Sequence, residues 1–108
     1  MTDARYRLRY FFDPGAGTCL WADDDATEAR YGLAVDVHML PVRPNTRVLC
    51  DYAIAWFDTH LDWDDPGGPS LWSDDEWARF RTTAARLLEA LRDDLEPDFE
   101  IADAWTGR

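Results

Sequence analysis

A chain of 108 residues has the length of one ordinary domain, and its 46% hydrophobic and 14% aromatic content supplies enough apolar mass to fold. Aspartate and glutamate number 22 against 11 basic residues, a formal net charge of −11. That balance argues against nucleic acid and against an anionic membrane surface as partners, because both are bound by neutralising phosphates with cations.

No run approaches the roughly 18 apolar residues of a membrane helix. The opening MTDARYRLRY has neither a signal-length apolar run nor a small-residue cleavage site, so a cytoplasmic protein is expected. Every basic residue is arginine and there is no lysine, a bias associated with GC-rich bacterial genomes. Cys19 and Cys50 lack the CxxC spacing of a zinc or redox motif and have apolar neighbours, so they read as buried free thiols.

Arg5 to Phe12 alternates, with Tyr6, Leu8, Tyr10 and Phe12 on one side and Arg5, Arg7, Arg9 and Phe11 on the other, which predicts a half-buried strand. Asp13-Pro14-Gly15-Ala16-Gly17 supplies turn chemistry, and Thr18 to Ala22 returns as the second strand of a hairpin. The arginine row suits an anion or an acidic partner, but also a charged guard on an exposed sheet face or pairing with the chain's own acids. Asp23-Asp24-Asp25 opens a short helix that ends at Gly32. Leu33 to Val42, punctuated by Pro41, is a brief strand or an extended connector. His38 lies within it and reads as packed and hydrogen-bonded.

Pro44 suits a first helical position, and a second helix is predicted from there to about Thr59, with Val48, Leu49, Tyr52, Ala53, Trp56 and Phe57 as its apolar face. Leu61 to Trp72, rich in proline and glycine, is a loop. Ser73-Asp74-Asp75-Glu76 matches a capping box, and Trp77, Phe80, Ala84, Leu87, Leu88, Leu91 and Leu95 follow at spacings of three and four. This third helix stops at Pro97, and Phe99 to Ala104 alternates as a last strand. The order β-β-α-α-α-β predicts a single α+β domain over residues 1–108: a hairpin and a C-terminal strand forming a small sheet, packed by helices in two layers.

No enzyme signature is present: there is no phosphate loop, dinucleotide fingerprint or nucleophile elbow. The segment Asp58-Thr59-His60-Leu61-Asp62-Trp63-Asp64-Asp65 alternates oxygen and imidazole donors, which makes Asp58, His60, Asp62 and Asp64 weak metal candidates. Neither register fits a calcium loop, however: counting from Asp58 puts Trp63 and Pro69 where glycine and glutamate belong, and counting from Asp62 puts Ser73 at the last position. A solvated acidic loop is the plainer reading, and no cofactor is expected.

One feature breaks a local rule. Cations belong at helix C-termini, yet the third helix ends in Asp93, Asp94 and Glu96, and the second in Asp58 followed by Asp62. Such uncompensated conflicts point to function. The sequence therefore predicts a non-enzymatic acidic interaction module that captures a basic protein, as an immunity protein does when it blocks a basic toxin. Asp58, Asp62, Asp64, Asp65, Asp93, Asp94 and Glu96 would steer the partner as one docking field, with Trp63 and Trp72 as anchors, although loop tryptophans also fold back onto cores. The alternatives are a divalent-metal or small-ligand binder using residues 58–65, and a small enzyme or accessory subunit.

Overall fold

The computed structural model describes residues 4–107. Strands β1 (Tyr6–Tyr10) and β2 (Leu20–Ala22) form the antiparallel hairpin, with Leu8 opposite Ala22 and Tyr10 opposite Leu20. Leu8, Tyr10 and Phe12 are buried, as the alternation demands. On the other face Arg7 pairs with Asp24 and Glu100, and Arg9 with Asp23, so the chain's own acids engage these arginines.

Helix α1 (Asp25–Tyr31) is capped by Asp24, whose carboxylate accepts from the Thr27 N–H at 2.9 Å. It ends where Gly32 takes a φ of 85° that a side chain would oppose. The connector resolves into a two-residue strand, β3 (Ala34–Val35), and a short 3-10 turn (Val37–Met39). His38 in that turn is exposed rather than packed, and its Nε2 lies 2.9 Å from the Asp51 carboxylate. Strand β4 (Phe99–Asp103) adds in parallel beside β1, Leu8 opposite Ile101, which gives a four-stranded mixed sheet in the order β3-β2-β1-β4. The α+β architecture and the element order are those read from the sequence.

Helices α2 (Pro44–Asp58) and α3 (Asp74–Leu95) pack against each other and run antiparallel: Trp56 meets Glu76 at one end, and Arg43 meets Asp94 at the other. All seven predicted core residues of α3 are buried. The predicted face of α2 is corrected. Thr46, Cys50, Ala53 and Phe57 are buried, Leu49 and Trp56 are half-buried, and Val48 and Tyr52 stand exposed. Apolar residues surround most of this helix, so periodicity could not choose a side; the inward row carries the small Cys50 and Ala53, which permit close packing.

Between the helical pair and the strands lies an aromatic cluster. Phe80 contacts Phe12, Trp56, Phe57, Trp72 and Trp105 with ring centroids 5.0–5.5 Å apart, the offset and edge-on geometry such rings prefer.

Candidate functional site

The first test of the acidic field is where α2 and α3 place their carboxylates. Because the helices are antiparallel, residues 58–65 lie beside the start of α3, whereas Asp93, Asp94 and Glu96 lie beside the start of α2. About 20 Å of helix separates the two groups, at 1.5 Å per residue over α2. The expectation of one docking field is therefore corrected to two unlike ends.

At the α3 exit, Asp94 is internal machinery. Its side chain is only 2% exposed, it accepts the Arg43 N–H at 3.0 Å, and it sits 3.3 Å from the Arg43 guanidinium. Helix α2 has no side-chain cap of its own, so Asp94 serves its N-terminus from another element. Burial pushes the Asp94 carboxyl up, but the hydrogen bonds from Thr46 and the Arg43 N–H, together with the Arg43 charge, hold it below the usual range. What looked like a carboxylate opposing one dipole is a carboxylate favoured by the other. Asp93 and Glu96 remain exposed beside it.

The opposite end is built differently. From Asp58 to Glu76 the chain carries Asp58, Asp62, Asp64, Asp65, Asp74, Asp75 and Glu76, and no arginine or lysine. The loop that holds them is ordered by its own turns. Asp62 Oδ1 accepts the Asp64 N–H at 3.0 Å, the Asp62 carbonyl accepts the Asp65 N–H, and the Asp65 carbonyl accepts the Gly68 N–H. The His60 carbonyl receives both the Leu71 N–H and the Ser70 hydroxyl. Asp58 Oδ1 accepts the Gly15 N–H at 2.9 Å, which ties the hairpin turn to the end of α2.

The two loop tryptophans separate. Trp72 is 8% exposed, packs on Trp77 and Phe80, and donates its indole N–H to Thr59, so its expected role as an outward anchor is withdrawn. Trp63 is 58% exposed. Its Nε1 donates to the Asp58 carbonyl at 3.2 Å, and its ring lies over Gly15, where a Cβ would come within 3.1 Å of Cη2. The ring is thus held in place with a free face. Leu71 is also exposed here, and sequence pattern alone singles out neither it nor Asp74 to Glu76 for docking, since a capping signal already accounts for those acids. Ser73 does cap α3, accepting the Glu76 N–H, but the Glu76 carboxylate accepts the Trp56 indole N–H at 2.8 Å instead of completing a box.

His60 is turned inward against Phe57, Trp72 and Trp77, and neither ring nitrogen has a hydrogen-bond partner among the described residues. Burial lowers its pKa, so it is neutral near pH 7. It does not join Asp58, Asp62 and Asp64, and among the described residues no three histidine, cysteine or acidic side chains gather as a metal site would require. A hollow of about 220 Å³ between α3 and the C-terminal segment is lined by Tyr10, Arg81 and Trp105, and a second lies at Glu96, Pro97 and Phe99; neither includes His60. Among the described residues no helix is long and apolar enough to cross a membrane.

Comparison with known proteins agrees with a binding module. The family model described as Serratia CdiI immunity protein-like matches residues 7–102, and the chain belongs to that family. No curated protein matches the chain. The matched span runs from the second residue of β1 to the fourth of β4, so it includes both helix ends and the whole acidic loop.

Proposed function

We propose that this member of an immunity-protein family is a cytoplasmic bacterial inhibitor of a basic toxin, and that it docks through the acidic end of the helical pair. The observation that carries this reading is the stretch from Asp58 to Glu76, seven carboxylates with no cation, beside an exposed, pre-positioned Trp63. Some acids elsewhere sit against arginines: Asp24 and Glu100 with Arg7, Asp23 with Arg9, Asp94 with Arg43.

The mechanism follows from that asymmetry. A stretch this rich in carboxylates, with no arginine or lysine in it, attracts a basic surface before contact and raises the association rate, by about 10-fold or more at low salt. Asp62, Asp64 and Asp65 make the approach, and Trp63 is the desolvated contact that slows departure. The turns and the aromatic bed of Trp72 and Trp77 below hold the loop in shape, which reduces the ordering cost of docking. Inhibition then consists of covering the toxin's basic working surface.

The test is to co-express the chain with the product of a toxin-like gene beside its own and to measure survival, then the association rate at several salt concentrations. Protection together with a rate that falls steeply with salt is the expected result. No protection, or a salt-independent rate, contradicts the reading.

A further inference from the structure

Cys19 and Cys50 stand 31 positions apart in sequence, yet their sulfurs are 3.6 Å apart. Cys19 immediately precedes β2 in the sheet layer, and Cys50 lies in the middle of α2 in the helical layer. Both are free and fully buried. Two thiols thus face one another between the strand side and the helical side of the core.

We propose that Cys19 and Cys50 form a redox modification site, closing to an internal disulfide that fastens α2 to the sheet, with a small-molecule disulfide such as oxidised glutathione as the oxidant. The sulfurs must approach by about 1.5 Å to reach a bond of about 2.05 Å, a movement within reach of side-chain rotation and slight helix displacement. One protein thiol gives up its proton, attacks the reagent and expels one small thiolate, which takes up that proton. The second protein thiol then attacks the protein-bound sulfur of the mixed disulfide and expels the other small thiol with its proton. Two protein thiols are oxidised and one reagent disulfide is reduced to two thiols.

Burial sets the pace. The hydrogen bond to Cys50 and the loss of solvent both push the Cys19 thiol well above its ordinary range, so little thiolate forms in the closed structure. Reaction therefore proceeds through transient separation of α2 from β2, and the cross-link, once made, opposes that separation. The closed loop spans β2, α1, β3 and the first half of α2, so the bond restrains the open chain over that whole region.

The experiment incubates the reduced, full-length protein with oxidised glutathione, with and without sub-denaturing urea, and follows intact mass and thermal melting. The expected product has lost two hydrogens and carries no glutathione. It forms faster in urea, melts on the order of 10 °C higher, and reverts with a reducing agent. Cys50→Ala and Cys19→Ser should give only a glutathione adduct with no rise in melting temperature. The proposal is overturned if the wild-type protein ends as separate adducts, as intermolecular dimers or unreacted even in urea. It is equally overturned if the internal bond forms without raising the melting temperature.

Discussion

The two ends of the α2–α3 pair are both rich in acids and are built differently. At the end where α3 finishes, an acid is turned inward: Asp94 loses its solvent and gains the start of α2, the Arg43 N–H and the Arg43 guanidinium. At the other end an exposed Trp63 lies in a segment with seven acids and no arginine. Acidic residues at a helix exit are therefore not one kind of feature. What decides their meaning is whether the neighbouring helix start already has its own side-chain cap: α3 has Ser73, whereas α2 has none and takes Asp94.

The largest expected effect tests the inward end. Asp94→Ala leaves the Arg43 N–H and Thr46 without their acceptor and should cost about 1–3 kcal/mol of stability in denaturant unfolding, since bonds to a buried charged group are the strong ones. A loss below half a kcal/mol would erase the distinction between the ends. Next is the outward end: Trp63→Ala should weaken toxin binding by about 10- to 100-fold, mostly through faster dissociation, while leaving the melting temperature nearly unchanged. A large loss of stability instead would mean that Trp63 serves the hairpin turn and not a partner.

A third, smaller effect concerns the bed beneath the acidic loop. Burial holds the His60 pKa below its ordinary value of 6.5, so the unfolded chain takes up the proton first as pH falls. The contribution of His60 to stability is complete above the unfolded pKa and is lost progressively as pH drops below about 6.5. His60→Phe should flatten that part of the stability profile measured from pH 7 to pH 5; an unchanged slope would place the ring in water. Smallest is Asp93→Ala, one residue from Asp94 but exposed, for which a change within about half a kcal/mol is expected.

These contrasts also mark what the sequence could tell. The span and buried face of helix α3 were legible, because Ser73 caps it and one row of apolar residues repeats without interruption to Leu95; the turn of Glu76 toward Trp56 was not. The hairpin was legible for the same reason, with Leu8, Tyr10 and Phe12 alternating against arginines. The burial face of α2 was not, since Val48 and Tyr52 are as apolar as the residues that face inward. The role of Asp94 was hidden because its partner Arg43 lies 51 positions earlier, and the proximity of Cys19 to Cys50 because it exists only once the chain has folded. The family match likewise covers nearly the whole chain without distinguishing one end from the other.

The central claim is that only one end of the helical pair carries the docking charge. The direct measurement is the association rate with the toxin for two variants at low salt: Asp62→Asn/Asp64→Asn/Asp65→Asn at one end, and Asp93→Asn/Glu96→Gln at the other. The first should slow association by about 10-fold, an effect that disappears at high salt, and the second should leave the rate within about twofold of the wild type. Equal slowing by both variants, or by neither, would contradict the account.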